Sequence, residues 1–131
     1  MELYGRGGGG WHENQPSYAG AGGSSCQSYT VSLTARQKIN VNIGKGGTSR
    51  YWSAATSGTT TSFGTYSVNG GGAGANSTGG SGAGNLGTKG GTGQNALYNY
   101  SKGKLRSELF GYGGSGSRHG GAGAVFLQFI G

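Results

Sequence analysis

Residues 70–93 read GGGAGANSTGGSGAGNLGTKGGTG, and this stretch decides which folds the chain can adopt. Half of it is glycine, and apart from Leu86 and Lys89 no side chain in it is larger than that of Asn or Thr. It has no apolar stripe at the helical period, and each glycine inside a helix costs about 1 kcal/mol relative to alanine. Two structures remain: a disordered low-complexity segment, or extended polyproline-II-like segments whose backbone groups pair with neighbouring segments.

Ordered glycine segments need a hydrophobic base. Fixing the backbone of one residue costs about 1–2 kcal/mol, whereas each hydrogen bond contributes about 0.5–1.5 kcal/mol net, so one isolated segment cannot fold. Several segments must therefore pack together and be anchored by apolar residues.

The composition bounds the class of protein. A chain of 131 residues forms at most one domain of ordinary size, and one proline among 34 glycines excludes collagen. Charged residues make up only 10%, unlike the charge-rich disordered class. The net charge of +7 favours anionic partners, such as acidic glycans, lipopolysaccharide, nucleic acid or membrane headgroups.

Several site classes and targeting signals are missing from the sequence. Cys26 is the only cysteine, so we expect neither an intrachain disulfide nor a thiolate zinc site. No apolar stretch approaches the roughly 18 residues of a membrane span, and the start has no secretory signal. We therefore expect no membrane insertion, no metal and no cofactor. Residues 1–3 are also consistent with an added start on a fragment of a longer protein.

Alternating apolar residues predict the strands. Residues 29–34 and 39–43 alternate at period two around a short polar connection, which predicts a hairpin over 29–43. Residues 59–68 read as a strand pair or a bent strand interrupted at Gly64. The apolar stretch 124–130 predicts a buried closing strand that lies on the first hairpin.

These patterns predict one mainly β domain over residues 1–131. It has a small hairpin or sandwich core, long surface loops and little or no helix, and the composition permits packed polyglycine-II-like segments. The loops are rich in aromatic and basic residues, and flat rings offer a sugar an apolar face while polar neighbours hold its hydroxyls. We predict a ligand-binding surface from Trp11, Arg50, Tyr51, Trp52, Tyr98, Tyr100, Lys102, Lys104 and Arg106.

Catalysis is poorly supported by the residues available. The chain has no aspartate, so it cannot form a Ser-His-Asp triad, an aspartate pair or a glycine–aspartate calcium repeat. Glu13 and Glu108 are the best remaining pair for glycoside hydrolysis, which needs two carboxylates. With three glutamates in the whole chain, we predict a protein that is not an enzyme.

The order of these pieces resembles the glycine-rich C-terminal domain of bacteriophage tail fibres and of fibre-like adhesins that bacteria have taken over from phages. The matching pieces are RGGGG at 6–10, YTV and INVNIGKGG within 29–47, GTTTSFG at 58–64 followed by GGG at 70–72, and GGAGAVFL at 120–127. The step from TTSFG to polyglycine is the most specific. The usual Pro-Gly between the two hairpin strands is replaced here by Ala35-Arg36-Gln37.

The resemblance implies a non-enzymatic receptor-binding tip at the distal end of a virion tail fibre or cell-surface fibre. Such domains are often homotrimeric and bind bacterial surface sugars or outer-membrane protein loops. Two alternatives stay open. An RGG-like nucleic-acid-binding segment is disfavoured because Arg6-Gly7-Gly8 occurs once and arginines are few. A purely structural fibre cap or trimerisation module is the other.

Overall fold

The computed structural model describes residues 1–12, 22–45, 47–48, 50–51, 55–75, 78–91, 102, 110–115 and 118–128. Within these residues the chain is mainly β and contains no helix. The strands are β1 (Glu2–Tyr4), β2 (Trp11–His12), β3 (Gln27–Ser28), β4 (Val41–Asn42), β5 (Arg50–Tyr51), β6 (Thr61–Phe63), β7 (Tyr66–Val68) and β8 (Ala124–Phe126). They form antiparallel sheets of order β3-β1-β8 and β4-β6-β7, and β2 pairs with β5 in parallel.

The hydrophobic base lies between the two three-stranded sheets. Leu3, Phe63 and Val68 are its buried centre, and the half-buried residues packed against them are Met1, Tyr29, Ile39, Tyr66 and Val125. An aromatic cluster continues it, because the buried ring of Tyr4 meets Phe126 edge-on with centroids 5.8 Å apart. Phe110 lies 5.2 Å from Phe126 and completes this cluster. Met1, Leu3 and Tyr4 are therefore part of the core.

The hairpin predicted over residues 29–43 is not formed. Residues 29–34 are not a strand, and β4 pairs with β6 instead, with Val41 opposite Phe63. Residues 34–37 form a turn that is closed by a hydrogen bond from the backbone amide of Gln37 to the carbonyl of Thr34. In this turn the third residue, Arg36, has a φ of 62°, whereas the φ of Ala35 is not positive. That pattern matches a type II turn, whose twist splays the flanking strands rather than pairing them.

The later hairpin is confirmed. Strands β6 and β7 pair through Phe63 and Tyr66, and Gly64 supplies the positive φ of 59° that their short turn requires. Phe63 and Val68 anchor it in the core. The closing strand is also present over Ala124–Phe126, but its partner is β1, with Val125 opposite Leu3, rather than residues 29–43.

The central element of the fold is the glycine segment 5–10, in which every glycine is buried. Its backbone amides donate to three neighbouring segments in turn, so the acceptor segment repeats every third residue. Arg6 and Gly9 donate to Thr59 and Thr56, and Gly7 and Gly10 donate to Gly121 and Arg118. Gly8 donates to Gly23, in a third segment. A polyproline-II-like helix has three residues per turn, so every third amide points in one direction, whereas a strand repeats every second residue. Segment 5–10 is therefore a polyglycine II helix surrounded by other segments.

Residues 70–75 and 78–91 join the same network, as the extended-segment interpretation predicts. Gly71 and Gly74 donate to the carbonyls of Arg6 and Gly9, and Gly72 donates to Ser81 at 2.8 Å. We call this network the glycine lattice; its segments are residues 5–10, 22–26, 44–45 with 47–48, 56–59, 70–74, 79–83, 87–91, 111–115 and 118–123. Its centre is residues 5–10 rather than the longer tract.

The pairing registers give each segment a direction. Arg6 pairs with Thr59 and Gly9 pairs with Thr56, so residue numbers decrease along this partner segment and it runs antiparallel to 5–10. Arg6 also pairs with Gly71 and Gly9 with Gly74, so that segment runs parallel. The segments parallel to 5–10 are 44–45 with 47–48, 70–74, 87–91 and 111–115. The antiparallel segments are 22–26, 56–59, 79–83 and 118–123. Every strand except β2 and β5 directly precedes or follows a lattice segment, and all six of these strands lie at the same end of the lattice. We call this end, which contains the hydrophobic core, the base.

Candidate functional site

The end of the glycine lattice opposite the base is where chain connections converge, and we call it the loop end. Hydrogen bonds tie one layer of residues together there: Gly9, Gly10, Thr48, Thr56, Gly74 and Arg118. The described residues from which the chain leaves and re-enters this end are Gly10 and Gly22, Thr48 and Thr56, Gly74 and Thr78, and Ser115 and Arg118. Glu2 and Phe126 pair at the base, so both ends of the described chain lie away from the loop end.

Strands β2 and β5 are the first structure beyond that layer. Because segments 5–10 and 44–48 run in the same direction, their continuations meet in parallel, with Trp11 opposite Arg50 and His12 opposite Tyr51. Three residues predicted from the sequence, Trp11, Arg50 and Tyr51, are thus brought together by the backbone. An aromatic residue and a cation therefore come from two connections distant in sequence but adjacent at the loop end.

Lys102 lies elsewhere among the predicted site residues. It is exposed, and its carbonyl accepts a hydrogen bond of 2.8 Å from the hydroxyl of Thr88, whose backbone amide is bonded to the hydroxyl of Ser24. This places Lys102 on the flank of the glycine lattice, below the loop end. Trp52, Tyr98, Tyr100, Lys104 and Arg106 lie outside the described residues, so their membership of the site stays a prediction.

Arg118 is a loop-end cation that the sequence analysis missed. It is exposed, its carbonyl accepts from the amide of Gly10 at 3.0 Å, and its amide donates to Ser115 at 2.8 Å. The backbone of Arg118 therefore lies beside Gly10, the residue that precedes Trp11. Its sequence signal is the break SGSRH at 115–119 within a glycine-rich segment, which marks a tight connection between two lattice segments.

The described residues at the loop end carry positive charge and include no carboxylate side chain. Glu2 is the only described carboxylate side chain, and at the base it accepts a 2.7 Å hydrogen bond from the hydroxyl of Tyr4. The described part of the chain has no group of three His, Cys, Asp or Glu side chains arranged to hold a metal. The same residues include no helix long and apolar enough to cross a membrane.

No protein-family model matches this chain, and no curated protein or solved structure is detectably similar to it. The functional argument therefore depends on the geometry of the loop end and on the chemistry of its residues.

Proposed function

We propose that this chain is the non-enzymatic receptor-binding tip of a phage-type tail fibre or fibre-like adhesin, and that it binds a bacterial surface glycan or another envelope component. One observation carries the proposal: the described residues that flank four chain connections lie at one end of the glycine lattice, opposite the paired strands β1 and β8. These flanking residues are Gly10 and Gly22, Thr48 and Thr56, Gly74 and Thr78, and Ser115 and Arg118. Binding residues commonly lie on loops that a hydrogen-bonded scaffold positions.

The charges at the loop end favour an anionic receptor. Arg50 is paired with Trp11 through the backbone, exposed Arg118 lies beside Gly10, and the whole chain carries a net charge of +7. Guanidinium groups bind carboxylate and phosphate in a bidentate manner, while an aromatic ring packs on the apolar face of a sugar. We propose that the chain acts as part of a longer homotrimeric fibre, on a virion or a cell surface, with the loop end outermost.

The position of the single RGG sequence weighs against the nucleic-acid alternative. Arg6-Gly7-Gly8 lies in the central lattice segment, where both glycines are buried and the Nε of Arg6 is enclosed without a hydrogen-bond partner among the described residues. A segment that wraps RNA must present its arginines to solvent. The structural-cap alternative is separated from the adhesin by replacing the connections at the loop end, because only an adhesin then loses cell attachment.

Binding of the labelled chain to a panel of whole bacteria, together with a glycan array, tests the proposal. The matched variants are Trp11→Ala with Arg118→Ala at the loop end, and Arg36→Ala, an exposed cation at the base, as the control. We expect attachment to fall at least about tenfold for the double variant, equivalent to about 1.4 kcal/mol, and to stay unchanged for the control.

Trp52→Ala and Tyr100→Ala extend the same assay to the predicted residues outside the described part of the chain. Circular dichroism of every variant confirms that the fold is kept. Absence of binding to any cell or glycan, or equal binding by wild type and all loop-end variants, would contradict the proposed function.

A further inference from the structure

The base of the molecule carries a cleft of about 410 Å³ between residues 32–40 and the turn of the β6–β7 hairpin. One hydrogen bond joins its two walls, and a second joins residues adjacent to them. The amide of Gly64 donates to the carbonyl of Asn40 at 2.9 Å, and the hydroxyl of Tyr29 donates to the carbonyl of Ser67 at 2.7 Å. The volume lies in the lower part of the range of roughly 300–1,000 Å³ that small-molecule sites occupy.

The interior of the cleft combines an apolar side with unpaired polar groups. Buried Phe63 and half-buried Tyr66 form the apolar side, and the ring of Tyr66 is fixed against Tyr29 at a centroid distance of 5.1 Å. The polar lining consists of Ser32, Gln37, Lys38, Asn40 and Thr65.

Most of these polar groups are available to a ligand. The side chains of Ser32, Lys38, Asn40 and Thr65 are exposed at the mouth of the cleft and have no hydrogen-bond partner among the described residues. The carbonyl oxygen of the Gln37 side chain accepts from the amide and the hydroxyl of Thr34, which leaves the amide nitrogen as a donor. Hydroxyl and amide groups beside an aromatic ring are the set that holds sugar hydroxyls over an apolar face.

We propose that this cleft binds a small saccharide that carries a carboxylate, with the ammonium group of Lys38 opposite the acid. The described lining of the cleft contains no carboxylate, so a negatively charged sugar meets attraction from Lys38 without repulsion from these residues. Ser32, Asn40 and Thr65 bond the ring hydroxyls, and Tyr66 contacts the ring carbons. The cleft lies at the base, so this binding is independent of the proposed receptor contact at the loop end.

NMR titration of the ¹⁵N-labelled chain with glucuronic acid, and separately with glucose, tests the proposal. We expect saturable shifts confined to residues 32–40 and 63–66, with tighter binding of glucuronic acid. Lys38→Gln is expected to weaken glucuronic acid by about two- to fivefold and to leave glucose unchanged, because an exposed charge pair contributes modestly. Asn40→Ala is expected to weaken both sugars.

Lys45→Gln is the matched control, since Lys45 is an exposed cation outside the cleft. The absence of saturable shifts in the cleft, equal affinity for glucose and glucuronic acid, or equal effects of Lys38→Gln and Lys45→Gln would each overturn the proposal. Cell attachment is not a readout here, so failure of this site and failure of the proposed function remain distinguishable.

Discussion

The α-carbon of Gly8 faces the carbonyl oxygen of Gly72 so closely that a Cβ added to Gly8 would lie 1.9 Å from that oxygen. The surrounding contacts leave no direction in which to shift, because the amide of Gly8 donates to Gly23 at 3.1 Å and its carbonyl accepts from Gly114 at 2.9 Å. Three neighbouring segments thus fix this glycine at once. Neighbouring backbones in the lattice lie too close together to leave room for a Cβ, and this explains why the segments are rich in glycine.

Substitution Gly8→Ala is therefore expected to be severely destabilising. The methyl group must displace the backbone of Gly72, and overpacking typically costs about 1–3 kcal/mol, so we expect a loss at or above the upper end of that range. Thermal unfolding followed by circular dichroism measures the loss. Ala122→Ser is the matched control, because Ala122 is exposed in a neighbouring lattice segment, and its unfolding free energy is expected to change by less than about 0.5 kcal/mol. Similar stabilities of the two variants would contradict the close packing at Gly8.

The hydroxyl of Ser25 links two lattice segments from a fully buried position. It accepts from the amide of Gly5 at 3.1 Å and donates to the carbonyl of Asn69 at 2.6 Å. Ser25→Ala leaves both backbone groups without this partner, so we expect the free energy of unfolding to fall by about 1–3 kcal/mol.

Denaturant unfolding measures that loss, with Ser67→Ala as the control because Ser67 is exposed on β7. The control is expected to stay within about 0.5 kcal/mol of wild type. An unchanged midpoint for Ser25→Ala would show that the buried hydroxyl does not stabilise the lattice.

Arg36 has a φ of 62°. Among the residues that the structure describes, it is the one residue other than glycine with a positive φ. The left-handed region costs an L-residue about 1–2 kcal/mol, whereas glycine adopts it freely but loses about 0.5–1 kcal/mol more conformational entropy on folding. Arg36→Gly is therefore expected to stabilise the chain by about 0.5–1 kcal/mol, and a thermal melt reads this as a rise in Tm. Arg36→Ala, which keeps the strain, should leave Tm close to wild type. A lower Tm for Arg36→Gly would contradict the turn geometry.

Part of the fold follows from sequence patterns alone. Alternation around Gly64 predicts the β6–β7 hairpin, because glycine supplies the positive φ and Phe63 and Val68 mark the buried face. Alternation in 39–43 also predicts extended chain, but it does not identify the partner. Val41 is 51% exposed and pairs with Phe63, since the turn at Arg36 does not return the chain onto residues 29–34.

The lattice was harder to predict because its pairing is long-range. Every glycine segment has the same local character, so nothing in the local sequence distinguishes the central residues 5–10 from the longer tract 70–93. The same reason hides Arg118, whose neighbours Gly10 and Ser115 lie in different segments. By contrast, aromatic and basic residues between glycine segments, such as Trp11, Arg50 and Tyr51, mark chain connections in the sequence, and their role in binding stays a prediction.

Amide hydrogen exchange of residues 6–10, followed by NMR under native conditions, tests the central claim most directly. In this structure all five amides donate to neighbouring segments at 3.0–3.3 Å. The expected result is exchange slowed to the rate of global unfolding throughout the segment, together with Gly23 and Gly72. Exchange of these glycine amides at the rate of an unstructured peptide, in a chain whose β core is folded, would contradict the existence of the lattice.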